Sequence, residues 1–167
     1  MKKYYTYLKT LLLIIAGSFL LAGCGSSSSE TGNSSSPAKS SLQLDFIETS
    51  PSANPPAGIE FKIDYDQSLV RPDPDVNKDA ERSVLLSGGL ARKETYMMAY
   101  DNGDIITINL LNARGFDNGG KQIRISFDVL NHTSGIITYH ITPGTLKIFD
   151  LNGGEMDNFE VILNAEL

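Results

Sequence analysis

The feature that most constrains the fold of this chain is a two-residue alternation of apolar and polar side chains, which recurs along its C-terminal part. Ile59, Phe61 and Ile63 alternate with charged residues, and residues 123–129 repeat the pattern. Because successive side chains of a strand point to opposite faces of a sheet, this alternation predicts strands with one buried face. It predicts further strands in residues 42–46, 96–100, 105–111, 146–148 and 159–165. No segment of the sequence shows sustained helical spacing.

Turn-forming residues separate these strands. Asn102-Gly103 lies between two of them, and because both residues tolerate a positive φ, the dipeptide predicts a hairpin. Glycine-rich turns follow at residues 117–120 and 152–154, and three prolines predict a loop over residues 50–57. Many short, regularly spaced strands predict an all-β fold, an antiparallel β-sandwich of the jelly-roll kind. An up-and-down β-barrel has similar patterning and is the alternative.

Residues 1–23 have the composition of a secretory signal peptide. Lys2, Lys3 and Lys9 precede an apolar run over residues 11–21, which is shorter than the about 20 residues of a transmembrane helix. The run ends in Leu-Ala-Gly before Cys24, the only cysteine, and this tetrapeptide resembles the lipobox of bacterial lipoproteins. The resemblance implies cleavage before Cys24 and an acylated cysteine that anchors the protein in a lipid bilayer.

The same resemblance implies a location in the cell envelope. Gly25 follows the cysteine, where an aspartate would signal retention at the inner membrane. The expected position is therefore the outer membrane in a Gram-negative cell, and otherwise the outer face of the plasma membrane.

Residues 24–41 are predicted to form a flexible tether to a single domain over residues 42–167. The tether is rich in serine and contains no large apolar side chain. It therefore cannot bury enough apolar surface to offset the conformational entropy lost on ordering. The domain has a common single-domain length. From Cys24 onward the chain has 11 basic and 20 acidic residues, a net charge of −9, and this charge disfavours nucleic acid as a partner.

The order of motifs in the domain resembles that of cohesin modules. Residues 58–69 form an alternating strand that ends in a Tyr-Asp-x-Ser-Leu turn, and a Leu-Leu-Ser-Gly-Gly loop follows at residues 85–89. A glycine-bearing turn at residues 112–120 precedes a long core strand, and residues 144–163 form the closing hairpin. The resemblance implies a cohesin-like sandwich, related in fold to carbohydrate-binding modules, that is not an enzyme and that binds a protein partner of the dockerin type.

An acidic loop offers a weak candidate site for Ca²⁺. Asp73, Asp75, Asn77 and Asp79 alternate along it, and in a curled loop this spacing can point oxygen ligands at one centre. An EF-hand loop would need a glycine at its sixth position and a glutamate at its twelfth, and this loop has neither. A solvated acidic loop without metal is the other interpretation, and it is favoured.

The sequence indicates no catalytic site. It has two histidines, His132 and His140, and no nucleophile elbow to accompany them. Four carboxylates occupy predicted outward positions, but no spacing pairs any two of them as a glycosidase requires. These four are Glu60, Asp64, Asp128 and Glu160.

The partner-binding residues are expected on the outward face of one sheet. The alternation nominates five candidates, namely Glu60, Lys62, Asp64, Arg124 and Ser126. Tyr96 and Tyr100 share one face of a strand with Met98 between them, which could form a platform for sugar rings; the favoured interpretation is that they belong to the core. Three roles stay open: a protein-binding module, a polysaccharide-binding module and a structural lipoprotein of the envelope.

Overall fold

The computed structural model of the chain describes residues 37–117, 119–130 and 135–166. The signal peptide, Cys24 and most of the predicted tether lie outside these residues. In chain order the described elements are β1 (Lys39–Glu48), β2 (Pro56–Tyr65), β3 (Val70–Pro72), α1 (Ala80–Ser83), β4 (Val84–Gly88), β5 (Tyr96–Asp101), β6 (Ile105–Leu111), β7 (Lys121–Val129), β8 (Tyr139–Ile141), β9 (Lys147–Asp150), β10 (Glu155–Met156) and β11 (Phe159–Glu166). None of the helices in this part of the chain has the length and hydropathy of a membrane span.

The strands form two antiparallel sheets. In the five-stranded sheet the order is β11-β1-β7-β3, and β4 pairs with the N-terminal half of β7 on the same side as β3. In the six-stranded sheet the order is β10-β9-β2-β6-β5, and β8 pairs with the C-terminal end of β2. The predicted antiparallel β-sandwich is confirmed. Because each sheet has its own edge strands, the alternative of a closed barrel is wrong.

The core lies between the two sheets and is built by the alternating residues of the long strands. Phe61, Ile108 and Ile125 are each fully buried. At one end of the core the ring of Phe127 lies 5.6 Å from that of Tyr65 and 4.8 Å from that of Tyr139, measured between centroids. Tilted aromatic packing of this kind adds to the stability that burial provides.

The first strand begins before the predicted domain boundary at residue 42. Lys39 and Ser40 pair with Asp128 and Phe127 of β7, so the predicted tether extends too far at its C-terminal end. Ser40 is buried; its hydroxyl lies 3.0 Å from the hydroxyl of Tyr139 and donates a hydrogen bond to the carbonyl oxygen of Glu166. The serine-rich composition predicted a flexible segment, but cross-strand hydrogen bonds order these small residues at the edge of the core.

Two turn predictions have different outcomes. The hairpin between β5 and β6 is confirmed, although among the described residues positive φ angles occur only at glycines, and Gly103 (φ 104°) adopts one while Asn102 does not. The side-chain oxygen of Asn102 instead accepts a hydrogen bond from the N–H of Ile105. The loop predicted at residues 85–89 is wrong, because Val84–Gly88 pairs with β7 as strand β4.

Candidate partner-binding face

The outer face of the six-stranded sheet consists of the side chains that alternate with the core residues. The strand registers arrange them in rows that cross the sheet. The three rows are Tyr96, Leu111, Gly58 and Phe149; Met98, Asn109, Glu60 and Lys147; and Tyr100, Thr107 and Lys62. We call this surface, together with Asp64 at its end, the six-strand face.

One side of the six-strand face is an exposed apolar stripe. The exposed fractions are 66% for Tyr96, 52% for Met98, 59% for Tyr100 and 58% for Leu111. The interpretation of Tyr96 and Tyr100 as core residues is therefore wrong. Exposed apolar side chains that are contiguous, rather than scattered singly, indicate an interaction surface.

The hairpin register explains why the tyrosines face outward. Met97 lies opposite Leu110 and Ala99 lies opposite Ile108, and both partners on β6 are buried. Met97 and Ala99 therefore pack against the core, and the residues between them point to the other side. Residues 96–100 are apolar or aromatic at every position, so their pattern alone does not reveal which side is buried.

The five residues predicted for partner binding do not share one face. Glu60, Lys62 and Asp64 lie on β2 in the six-strand face, where Glu60 is exposed and the other two are half-buried. Arg124 and Ser126 lie on β7 in the opposite sheet. The prediction of a single surface is wrong because alternation shows that a side chain points outward without showing which sheet carries it.

A cleft of about 690 Å³ opens at the Tyr100 end of the stripe. It lies between residues 71–78 and the β5–β6 turn, and Tyr100 lines it. The side-chain amide of Asn77 donates to the carbonyl oxygen of Asp101 at 2.7 Å and accepts from the N–H of Asp101 at 3.0 Å. This pair of bonds fastens the acidic loop to the end of β5.

The acidic loop uses its candidate Ca²⁺ ligands for internal contacts. One oxygen of Asp75 accepts a hydrogen bond from the N–H of Asn77 at 3.0 Å, and the other lies 3.0 Å from the ammonium group of Lys78. The hydrogen bond from Lys78 is the main cause that lowers the pKa of Asp75 below its ordinary value. The side chain of Asn77 is engaged with Asp101.

The other two candidates point to different partners. Asp73 forms an ion pair with Lys39, and Asp79 forms one with Arg82 at 3.3 Å. Across residues 37–117, 119–130 and 135–166, no group of three or more acidic, histidine or cysteine side chains is arranged to hold a metal ion. The described geometry therefore directs the four candidate side chains to separate partners.

A charge cluster around one buried carboxylate lies on the opposite sheet, at a position that the sequence pattern placed on the surface. Asp128 of β7 is only 4% exposed, and it lies directly between Lys39 of β1 and Arg71 of β3. Its carboxylate is 2.6 Å from the Lys39 ammonium group and 3.1 Å from the Arg71 guanidinium group. Burial would raise the pKa of Asp128, but the hydrogen bonds from the two cations outweigh it and hold this pKa below its ordinary value.

His140 lies outside the apolar stripe of Tyr96, Met98, Tyr100 and Leu111. His140 is exposed on β8, where its register partner is Asp64 of β2. His132 lies outside the described residues, as does Cys24.

Support for the fold assignment comes from solved structures. No protein-family model matches the chain, and no curated protein sequence is significantly similar to it. Its two sheets and their strand order define an antiparallel β-sandwich, and solved structures of cohesin modules share this fold.

Three such structures illustrate the similarity. The complex of CaCohA2 with a variant of CaDoc0917 matches with a TM-score of 0.57 and 17% identity, over 72% of this chain and 83% of the matched chain. The third cohesin of ScaC from Acetivibrio cellulolyticus, in complex with the ScaB dockerin, gives 0.53 and 14%, over 73% and 82%. The cohesin module of a family 33 glycoside hydrolase from Clostridium perfringens gives 0.52 and 8%, over 75% and 82%. The chain therefore has a cohesin-like fold.

Proposed function

We propose that this protein is a non-catalytic binding module that recognises a dockerin-type protein through its six-strand face, and that Cys24 anchors it to the membrane of the cell envelope. The observation that carries the first part is the exposed stripe of Tyr96, Met98, Tyr100 and Leu111. Aromatic residues and methionine are enriched at protein–protein interfaces relative to the rest of the surface. Here they lie side by side on strands whose backbones are held by the sheet.

The charged residues beside the stripe complete the arrangement of a protein interface. The rows continue from the stripe through Asn109 and Thr107 of β6 to Glu60 and Lys62 of β2, and Lys147 follows on β9. An apolar centre with a polar rim is the usual anatomy of such interfaces. The similar fold of the ScaC cohesin, which is bound to a dockerin, supports a partner of that class.

The test of the face compares a double variant with a matched control. The double variant Tyr96→Ser/Tyr100→Ser removes the two aromatic side chains. The control variant Arg124→Ala/Ser126→Ala also replaces two residues, but on the opposite sheet. The immobilised full chain is used to capture proteins from secreted and envelope extracts, and mass spectrometry identifies those that the parent retains. On the identified partner we expect the tyrosine variant to bind about 30-fold more weakly, as for two interface residues that each contribute about 1 kcal/mol, and the control to bind like the parent.

Unfolding stability separates a binding defect from a folding defect. Because both tyrosines are mostly exposed, we expect each replacement to change the free energy of unfolding by no more than about 0.5 kcal/mol. A partner that binds the tyrosine variant as tightly as the parent contradicts the proposed face.

A polysaccharide-binding module is the second candidate, and the exposed tyrosines favour it. Tyr96 and Tyr100 are four residues apart on the same side of β5, which separates them by roughly 13 Å along the strand. Rings so exposed can stack on sugar rings. The same variants are therefore tested in parallel on insoluble polysaccharides; if polysaccharide but no protein retains the parent, the second candidate is correct. Retention by neither favours a structural role in the envelope.

The membrane anchor has its own test. We expect radiolabelled palmitate to be incorporated into the parent chain expressed in a bacterial host and to be absent from Cys24→Ser, because the thiol is the acceptor implied by the lipobox. Two acyl chains would make the attachment stable, whereas one chain binds a membrane only marginally. Fractionation should then place the parent with membranes and the variant in the soluble fraction. Equal labelling of both chains contradicts the anchor.

A further inference from the structure

β11 forms one outer edge of the five-stranded sheet, and no strand among the described residues pairs with that edge. β11 pairs with β1 in continuous register, and beyond it the described residues place no further strand. The N–H of Thr49 donates to the carbonyl oxygen of Asn158. Because hydrogen-bonded positions alternate along an antiparallel pair, the backbone N–H and C=O groups of the even-numbered residues of β11 point toward β1. The backbone N–H and C=O groups of Phe159, Val161, Leu163 and Ala165 therefore point away from the sheet.

The β5 edge of the six-stranded sheet has fewer backbone groups available for pairing. At one end of β5 the backbone of Asp101 is hydrogen-bonded to the side chain of Asn77, and just before β5 the N–H of Thr95 donates to the carbonyl oxygen of Arg92. Between these two contacts the outward backbone groups of β5 are those of Met97 and Ala99. The helix α1 also contacts this strand. Proteins commonly protect edge strands in such ways. β11 carries neither a bulge nor a proline within its eight residues.

An apolar groove lies beside the free edge. It has a volume of about 480 Å³ and is lined by Leu146, Ile148, Met156 and Phe159, with two acidic residues beside them. Leu163, farther along β11, is half-buried against the core. An added strand would therefore find backbone partners on β11 and an apolar recess for alternate side chains, which are the two requirements of β-strand addition.

The charge around this edge identifies the kind of strand it accepts. Residues 148–166 contain five acidic residues and no lysine or arginine. Four of the five are exposed, namely Glu155, Asp157, Glu160 and Glu166. A second copy of this chain would bring two acidic edges together, and like charges on adjacent strands are destabilising. A strand with lysine or arginine at alternate positions would be complementary.

From these observations we infer that the β11 edge binds an extended basic segment of a partner protein by β-strand addition. Apolar side chains of the segment enter the groove at Phe159, and its cationic side chains lie on the outer surface next to Glu160 and Glu166. The strand edge of the site belongs to the five-stranded sheet, and its groove is also lined by Ile148 of β9 and Met156 of β10. The site shares none of these residues with the six-strand face. Its success or failure is therefore independent of the proposed function.

The test uses synthetic peptides and the full chain. The probe is an eight-residue peptide of alternating valine and lysine, and the comparison peptides replace lysine by glutamate or carry N-methyl groups on the backbone amides that would pair with β11. Binding is measured by fluorescence anisotropy. Amide hydrogen exchange by NMR reports the site, and we expect new protection at Phe159, Val161, Leu163 and Ala165.

A matched pair of charge reversals tests the contribution of the acidic edge. Glu160→Lys lies beside the proposed strand, whereas Glu81→Lys makes the same change at an exposed position of α1, outside both proposed surfaces. We expect Glu160→Lys to weaken binding of the lysine peptide about five- to tenfold and Glu81→Lys to leave it within about twofold. The inference is overturned if the lysine peptide does not bind, if the glutamate or N-methylated peptide binds equally well, if the two reversals have equal effects, or if protection appears elsewhere.

Discussion

Phe127→Ala is expected to lower the free energy of unfolding by about 3–5 kcal/mol, the usual cost of deleting a buried aromatic ring. Phe127 is fully buried and packs between Tyr65 and Tyr139. Its strand, β7, is the centre of the five-stranded sheet and pairs with β1, β3 and β4. Because domains of this size are stable by about 5–15 kcal/mol, the variant should be marginally folded. Urea denaturation followed by circular dichroism measures the difference.

Leu85→Ala is the control for this experiment. Leu85 lies on β4 in the same sheet and is 49% exposed, so its truncation should change the free energy of unfolding by less than about 1 kcal/mol. Equal losses for Phe127→Ala and Leu85→Ala would contradict a core centred on β7, because they would indicate that the two sheets do not bury the alternating residues between them.

The alternation predicted β1, β2, β6 and β7 well because each of these strands buries the apolar residues of one face. β2 and β7 carry four or more inward apolar residues in strict alternation, and such a pattern has no comparable helical interpretation. The short strands β3, β8 and β10 have three residues or fewer. A period of two is not detectable over that length, and these strands form where a neighbouring strand offers free backbone groups.

The candidate site was harder to predict, because its composition depends on which strands are neighbours. The exposure of Tyr96 and Tyr100 follows from the register of β5 on β6, which sets Met97 and Ala99 against the core. The separation of Glu60 from Arg124 follows from the assignment of β2 and β7 to different sheets. Neither relation is local in the sequence, so neither could be obtained from spacing and composition.

The burial of Asp128 also depends on strands that are distant in the sequence. Its position in the alternation is outward, which predicts exposure, and its side chain does leave β7 on the side opposite to Phe127 and Val129. It is buried because Lys39 and Arg71, its partners on the two adjacent strands, cover it with their long side chains. Such covering by long charged side chains is common, but it requires knowledge of three strands that are distant in the sequence.

This cluster leads to the second large expected effect, a loss of stability that exceeds the sum of two single replacements. Lys39→Met or Arg71→Met alone should cost about 0.5–1 kcal/mol, because both cations are mostly exposed and screened by water. Each single variant leaves Asp128 one cationic partner. The double variant keeps long side chains over Asp128 but leaves the buried carboxylate without either cation, and we expect a loss of about 2–4 kcal/mol. Urea denaturation of the four chains forms a double-mutant cycle that measures the coupling.

The pH dependence of Asp128→Asn checks the same cluster in a different way. Because the folded pKa of Asp128 is lowered, its charge contributes stability that is fully present above the unfolded value of about 3.9 and is lost as the pH falls through the folded pKa. The difference in unfolding free energy between the parent and Asp128→Asn should therefore be constant near neutral pH and shrink below about pH 4. Asp64→Asn, at an outward position of β2, provides the control. A difference that grows on acidification, or strictly additive single variants, would show that the two cations do not stabilise the Asp128 carboxylate.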